Sequence, residues 1–334
     1  MDKEMQMKKI LIVALLVLLA VPFLAADQKG EETLKTIYRL YGQQKYDEAL
    51  PLIEKAMKDF GVSQDLMKLK YKILLDQKKY NDALAFIDEE IKRSGETEEL
   101  LAARFDLLFR WGKLPEALET ARKKDNIAKS KSPWDAINIM HVCLRMGSKD
   151  DALDALQDAV SRGFISYRIL SDKQYDLLAK EERFYEIIET IKVAVGLGNP
   201  ARPFSVKLLN GDDFTLLKQR GKVVLLDFWA TWCEPCREEM PELIKIYGEF
   251  KTKGFEIIGI SLDSNEQKLK EYIIKNNLEW KMSCSGQVWN DPTVVRYRVN
   301  SIPSLWLIDK KGFLRSFDLK GEELRKTIIT LLAE

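Results

Sequence analysis

The stretch that decides the fold covers residues 223–243 and reads VVLLDFWATWCEPCREEMPEL. Its apolar start predicts a buried strand, and Pro235 stands where the first turn of a helix accepts proline. Cys233 therefore lies at a predicted helix N-terminus, where the helix dipole and free backbone N–H groups lower a thiol pKa from roughly 8.5 toward about 7. Cys233 and Cys236 can close into a small disulfide and reopen by exchange with another thiol.

The composition limits the classes of function. The chain has 334 residues, of which 46% are hydrophobic and 31% charged, and this predicts a globular protein with two domains. Because 53 basic residues balance 52 acidic ones, we expect no nucleic-acid partner. His141 is the only histidine, so a histidine metal site or a Cys–His pair is nearly excluded, and Arg237 after Cys236 excludes the C-x-x-C-H haem motif. We expect no metal and no cofactor.

The N-terminus resembles an export signal. Lys8 and Lys9 precede an apolar run over residues 10–26 that ends in small residues, so we expect a signal peptide over 1–26, cleaved after Ala26. The alternative is an uncleaved membrane anchor over residues 10–26, although the run is short for a spanning helix. Either arrangement places the chain outside the cytoplasm, in the periplasm or cell envelope, where disulfides form.

Residues 31–195 contain an internal repeat. Its markers are four alanines spaced 34, 34 and 35 residues apart, each between an acid and a leucine: Ala49, Ala83, Ala117 and Ala152. The repeat resembles the tetratricopeptide unit of two amphipathic helices, in which a small residue lets the paired helices approach. The family's small residue in the first helix and its terminal proline are absent here. Residues 171–191 look like a degenerate closing unit.

The repeats predict an all-α helical solenoid whose concave face binds a protein partner. The alternatives are a spacer or a dimerisation module. The Gly- and Pro-rich residues 196–203 are the predicted linker.

Residues 204–334 alternate between predicted strands and helices. Asn210-Gly211 predicts a hairpin turn near the start. The β-α-β start and the antiparallel finish predict a mixed sheet covered by helices. The predicted strands cover 222–228, 255–261, 280–283, 304–309 and 313–318, and the predicted helices cover 234–251, 265–276 and 321–333.

Residues 201–334 resemble a thioredoxin-fold domain of the TlpA/ResA type, within the wider redoxin group. The resemblance rests on DFWATWCEPC at residues 227–236, on the pair Ile302-Pro303, and on PSLWLIDKKG at residues 303–312. It implies an α/β thioredoxin fold with a mixed central sheet and a thiol–disulfide oxidoreductase activity.

Exchange chemistry assigns the central roles. Cys233, at the exposed helix tip, attacks a substrate disulfide, and Cys236, one turn further in and more buried, resolves the mixed disulfide. Asp227, desolvated at the end of a central strand, is expected to have a raised pKa and to act as the base. The resemblance agrees, although many TlpA-like sequences carry asparagine there. The alternative for Asp227 is an acid facing solvent.

Further site residues follow from the resemblance. It implies that Glu234 tunes the thiol pKa, although a first-turn glutamate also stabilises a helix N-terminus. It implies that Pro303 is cis and lies beside the cysteines, where it exposes the Ile302 backbone to an extended substrate. Trp232 and Pro235 complete the predicted substrate-binding set, with shielding of the site as the alternative for Trp232.

The sequence therefore predicts an exported enzyme that reduces protein disulfides, such as those of cytochrome c maturation clients, with electrons from a membrane or periplasmic thiol carrier. The same-class alternatives are a disulfide oxidase or isomerase and a peroxide-reducing redoxin that uses Cys284. A non-catalytic scaffold of repeats with a docking thioredoxin fold is the remaining alternative. Cys143 and Cys284 have no partner at motif spacing and are expected to be inert buried thiols.

Overall fold

The computed structural model describes residues 28–61, 63–166 and 175–334. Contacts between residues divide the chain into two units, which meet in the sequence at Lys129 and Ser130. The predicted signal segment at 1–26 lies outside the described residues, as does the beginning of the predicted closing unit at 171–191.

The first unit consists of helix pairs with the predicted period. Each second helix begins three residues before a repeat alanine, and Ala49, Ala83 and Ala117 are fully buried. This confirms the predicted pairs, while the tetratricopeptide family label stays a prediction. The helices are α1 (Gln28–Gly42), α2 (Tyr46–Phe60), α3 (Gln64–Asp76), α4 (Tyr80–Ser94), α5 (Glu98–Trp111) and α6 (Leu114–Ile127).

Caps and apolar faces explain where these helices begin and how they pack. The Ser63 and Thr97 hydroxyls accept backbone N–H bonds at the starts of α3 and α5, satisfying donors that the helix itself leaves open. Ile53 of α2 and Ile73 of α3 are fully buried in one apolar cluster, so each pair buries its stripe against the next.

In the second unit, three helices within the described residues 130–166 and 175–195 precede the sheet domain. These helices are α7 (Pro133–Met146), α8 (Lys149–Ser161) and α9 (Glu182–Val195). The fourth repeat alanine, Ala152, is again fully buried near the start of α8. Contacts thus divide the chain before α7 and not at residues 196–203, and the limits of the repeat domain stay a prediction.

The C-terminal domain has the predicted α/β thioredoxin fold with a mixed five-stranded sheet in the order β5-β4-β3-β6-β7. The strands β3, β4 and β5 are parallel, and β6 and β7 are antiparallel to their neighbours. Every residue of β3 and β4 is buried, because helices cover both faces of a parallel sheet. The strands are β3 (Val223–Trp229), β4 (Phe255–Ser261), β5 (Lys281–Cys284), β6 (Ser304–Ile308) and β7 (Leu314–Phe317).

Smaller elements complete this domain. The predicted hairpin pairs β1 (Ser205–Lys207) with β2 (Asp213–Thr215), and Gly211 in its turn has a φ of 91°. The sequence analysis missed α12, which is only six residues long and is capped by Asp291. The domain's helices are α10 (Glu234–Phe250), α11 (Glu266–Asn276), α12 (Pro292–Tyr297) and α13 (Gly321–Ala333).

The predicted linker pairs with the sheet. Gly198 donates a backbone hydrogen bond to Leu314, Leu314 donates to Asn199, and Ala201 donates to Gly312, at 2.8 to 2.9 Å. The segment thereby occupies the outer edge of β7, which would otherwise present unpaired backbone groups.

None of the helices within residues 28–61, 63–166 and 175–334 has both the length and the apolarity that a membrane-spanning helix needs.

Candidate active site

The predicted site residues collect at one edge of the sheet. Because β3 and β4 run parallel and β6 runs antiparallel to them, the ends of β3 and β4 and the beginning of β6 share this edge. Residues 227–236, 261–263 and 302–304 form it, and together they are called the redox edge. The topology thus brings the CxxC and Pro303 to the same side of the sheet.

The two motif cysteines are joined by a disulfide whose Cα atoms are 5.3 Å apart. Cys233 is the N-cap of α10, and its Sγ accepts a hydrogen bond of 3.2 Å from the Cys236 backbone N–H. Pro235 occupies the first turn of α10, as predicted. The sulfur of Cys233 therefore lies where backbone donors and the helix dipole favour negative charge.

The exposure of Cys233 corrects one expectation. Cys233 was predicted at an exposed helix tip, but it is only 5% exposed, compared with 2% for Cys236. In the disulfide its Sγ is bonded to Cys236 and capped by the helix backbone, so little sulfur surface remains. The neighbouring Trp232 is exposed, at 52%.

Asp227 lies within β3, between Gly259 of β4 and Leu305 of β6. It is 1% exposed, which agrees with the predicted desolvation and contradicts the alternative of an acid facing solvent. Burial of a carboxyl group favours its protonated form.

The Ile302–Pro303 peptide bond is cis, as the resemblance implies. Pro303 is buried and Ile302 is half-buried, directly before β6. Asp318 secures the beginning of this strand, because its carboxylate accepts from the Ser304 hydroxyl at 3.0 Å and from the Leu305 N–H at 3.2 Å.

A residue that the sequence analysis did not select, Asp263, secures the approach to the CxxC. Its buried carboxylate accepts from the Thr231 backbone N–H at 3.0 Å and from the Thr231 hydroxyl at 2.6 Å. The Ser261 hydroxyl donates a third bond of 2.7 Å. The available sequence signal was an acid two residues after a buried strand, but the Thr231 contact spans 32 residues and is tertiary.

The remaining motif side chains face outward. Glu234 and Pro235 are exposed, as is Trp232. Arg237 is also exposed, and its guanidinium donates a 3.0 Å hydrogen bond to the Thr231 carbonyl. The backbone of Thr231 is thus held from both sides, by Asp263 and by Arg237.

The other cysteines do not join the CxxC. Cys284, at the end of β5, is half-buried and donates a 3.2 Å hydrogen bond from its Sγ to the Asp263 carbonyl. Burial raises the pKa of its thiol. Cys143 is buried in α7. In the described part of the chain, no group of three or more His, Cys, Asp and Glu side chains lies close enough to hold a metal ion.

Known proteins resemble the C-terminal part of this chain. A sequence model of the AhpC/TSA family matches residues 197–317. Over 134 residues the chain is 32% identical to the thiol-disulfide oxidoreductase ResA of Bacillus thuringiensis subsp. konkukian. This match covers 40% of this chain and 74% of that protein. The chain is also 33% identical over 123 residues to ResA of Geobacillus kaustophilus, a match that covers 37% of this chain and 69% of that protein.

Solved structures also match the C-terminal part of the chain. One is the thioredoxin domain of a thiol-disulfide oxidoreductase from Bacteroides vulgatus, at 31% identity and a TM-score of 0.38. The match covers 41% of this chain and 97% of that domain.

Proposed function

The chain belongs to the family of thiol-disulfide oxidoreductases that includes ResA, and we propose that it reduces disulfides of protein substrates through Cys233 and Cys236. The observation that carries this proposal is the Cys233–Cys236 disulfide at the N-terminus of α10, beside the beginning of β6.

The reaction begins with the reduced dithiol. The Cys233 thiolate attacks one sulfur of a substrate disulfide, forming a mixed disulfide while the other substrate sulfur leaves as a thiolate and takes up a proton. Cys236 then loses its proton and attacks the Cys233 sulfur, so the Cys233–Cys236 disulfide forms and the substrate leaves as a dithiol. Two electrons pass to the substrate in each turnover.

The position of Cys233 supports its role as the attacking thiol. A thiolate at a helix N-terminus is stabilised by the macrodipole and by backbone N–H groups such as that of Cys236. Opening the disulfide releases the Cys233 sulfur for attack beside the exposed Trp232.

Asp227 is the proposed proton acceptor for Cys236. A carboxyl group within the sheet, 1% exposed, can hold a proton near neutral pH and return it in the reverse reaction. Glu234 is exposed in the first turn of α10, where its charge acts on the Cys233 thiolate and tunes the redox potential of the pair.

The substrate is proposed to bind along the redox edge as an extended chain. The half-buried Ile302 offers its backbone for pairing, and the cis bond to Pro303 fixes the direction of that backbone. Trp232 and Pro235 supply exposed apolar surface directly next to Cys233 and Cys236 in the chain.

Export and electron supply complete the proposal. The signal segment over 1–26 directs the chain to the periplasm or cell envelope, with residues 10–26 as an anchor if the segment is retained. Each turnover oxidises the CxxC, so a membrane or periplasmic thiol reductant has to reduce it again. The substrates are protein disulfides, such as those of cytochrome c maturation clients, and the helical repeats bind a protein partner.

Peroxide reduction has less support. A peroxidatic cysteine needs a low thiol pKa, whereas burial raises the pKa of Cys284 and its Sγ is engaged with the Asp263 carbonyl.

Insulin reduction in the presence of dithiothreitol tests the proposal. We expect the wild-type chain to accelerate the reaction, Cys233→Ser to abolish the acceleration, and Cys236→Ser to accumulate a mixed disulfide whose mass identifies the substrate. No acceleration by wild type, or equal rates in wild type and Cys233→Ser, would refute the proposed activity. A redox titration tests the direction of electron transfer, because a redox potential of about −120 mV would indicate a disulfide oxidase instead.

A further inference from the structure

A long groove lies between α3 and α5, the first helices of two consecutive pairs. Two cavities form it, of about 580 and 320 Å³, and Lys68 and Tyr71 line both. Tyr71 of α3 connects the two helices, because its hydroxyl donates a 2.9 Å hydrogen bond to the Ala103 carbonyl of α5. The two cavities are therefore parts of one surface, which is called the lysine groove.

The larger cavity of the lysine groove is lined by unpaired cations. Lys68, Lys72 and Lys78 are exposed along its wall. Among the described residues, none of the three has a carboxylate at ion-pair distance. The Lys72 Nζ lies 5.6 Å from the centre of the Tyr41 ring, and Lys68 is close enough to Glu99 of the smaller cavity to interact with it electrostatically. An exposed ammonium group without a partner is available to an anion that enters the groove.

The carboxylates of the same wall are already engaged. Asp106 accepts from the Tyr71 hydroxyl at 3.1 Å and from the Arg110 Nε at 2.7 Å. Asp76 accepts from the Tyr46 hydroxyl at 3.1 Å. Burial and the neighbouring Asp106 raise the pKa of Tyr71, so its hydroxyl remains a donor. These acids hold the groove walls in place, and the free charge of the larger cavity is positive.

The smaller cavity is mainly apolar. Met67, Phe86, Ile87, Leu100 and Ala103 contribute to its lining. Two carboxylates also line it: Glu90, which is paired with Arg93, and the exposed Glu99. It adjoins the cations through Lys68, so apolar and cationic surface lie next to each other in one groove. This combination matches a peptide that carries carboxylates beside an apolar side chain.

We infer that the lysine groove binds an acidic segment of a protein partner, with carboxylates against Lys68, Lys72 and Lys78 and a neighbouring apolar side chain in the smaller cavity. The inference rests on the proposed function in one respect, that the helical repeats bind a protein partner. A protein segment is favoured over a nucleic acid because the mainly apolar smaller cavity accommodates an aliphatic side chain, which a nucleic acid does not carry.

Fluorescence anisotropy with the full chain tests the inference. The probe is a fluorescein-labelled peptide of glutamate, leucine and glycine, and its control carries lysine in place of each glutamate. We expect saturable binding of the acidic peptide that weakens with added salt, because exposed charges are screened. The double variant Lys68→Glu/Lys72→Glu should weaken binding by about tenfold or more.

A matched variant separates the groove from overall charge. Lys55→Glu/Lys58→Glu changes the net charge equally, but both lysines are exposed on α2 and line neither cavity. It should stay within about twofold of wild type. Should Lys68→Glu/Lys72→Glu unfold, as judged by circular dichroism, Lys68→Gln/Lys72→Gln provides the same comparison with less perturbation.

Several outcomes would overturn the inference. They are no saturable binding of the acidic peptide, equal binding of the lysine peptide, equal weakening by both double variants, or displacement of the peptide by oligo-dT at the same concentration as by unlabelled peptide. Insulin reduction by the wild-type chain is measured separately and tests the cysteines alone. Failure of peptide binding with retained insulin reduction therefore overturns the groove and leaves the redox proposal standing.

Discussion

The redox edge and the lysine groove differ in how deeply their polar residues are buried. At the redox edge the reactive groups are buried in a sheet and a helix N-terminus: Asp227 is 1% exposed, Cys236 2% and Cys233 5%. In the groove, Lys68 and Lys72 are exposed on the surface of α3.

The difference concerns how freely each set of residues can change. A substitution at the redox edge alters packing and hydrogen bonds as well as chemistry, so its effects on stability and activity are coupled. A substitution among the exposed lysines changes charge with little structural cost. The proposed binding partner can therefore change while the proposed exchange chemistry stays the same.

The largest expected effect is that of Asp227→Asn. Because this change removes the proposed proton acceptor for Cys236, insulin reduction should slow by roughly a hundredfold and a mixed disulfide on Cys233 should accumulate. Turbidity measures the rate, and mass spectrometry measures the adduct. The control is Asp213→Asn in the exposed β1–β2 hairpin. A rate close to that of the control would show that the redox edge works without a buried acid.

Asp263→Asn should come next. The two oxygens of the Asp263 carboxylate accept three hydrogen bonds from Thr231 and Ser261, whereas an asparagine amide has only one acceptor oxygen. The free energy of unfolding should therefore fall by about 2–3 kcal/mol. Loosening Thr231 should also move Cys233 away from the helix N-terminus and raise its thiol pKa toward roughly 8.5.

Urea unfolding measures the stability of Asp263→Asn, and the pH profile of alkylation at Cys233, mapped by mass, measures the thiol pKa. Asp212→Asn, in the exposed turn before β2, is the control. A less stable protein with an unchanged alkylation profile would limit Asp263 to a structural role.

In the helical unit, Ala83→Leu tests the core beneath the groove. Ala83 is fully buried where α4 meets its neighbours, so the larger side chain should lower the free energy of unfolding by about 1–2 kcal/mol. Ala85→Leu, on the exposed side of the same helix, should have little effect. Equal urea unfolding curves for the two variants would contradict the assigned helix packing.

The smallest effect is a pH dependence outside both regions. Burial lowers the pKa of His141, whose Nε2 lies 2.6 Å from the Tyr175 hydroxyl oxygen. The unfolded chain then binds a proton more readily, so stability should fall as the pH decreases from the ordinary value of 6.5 toward the folded pKa.

Because His141 is the only histidine in the sequence, a single imidazole NMR resonance reports its titration. A midpoint at or above 6.5 would contradict the expected direction. His141→Gln should remove this part of the pH dependence from the unfolding curves.

Features with a local or periodic cause could be predicted from the sequence. The 34-residue spacing of the alanines predicted the helix pairs, and each second helix begins three residues before its alanine. The apolar run before the CxxC predicted β3, and Pro235 predicted the beginning of α10.

Features that depend on tertiary contacts could not be predicted in this way. The bond between Thr231 and Asp263 joins residues 32 positions apart. The lysine groove combines residues of three helices that no short motif contains. The glycines and prolines of residues 196–203 predict a linker, yet its backbone pairs with β7. Backbone pairing cannot be predicted from side-chain patterns alone.

That pairing has a consequence for how this enzyme can be cut and recombined. A fragment beginning at residue 204 would lack Gly198 to Ala201, and the outer side of β7 would be left as an open template for other chains. A gene fusion or an expression clone that keeps these residues retains a protected border. The portable genetic module therefore begins upstream of its first regular strand.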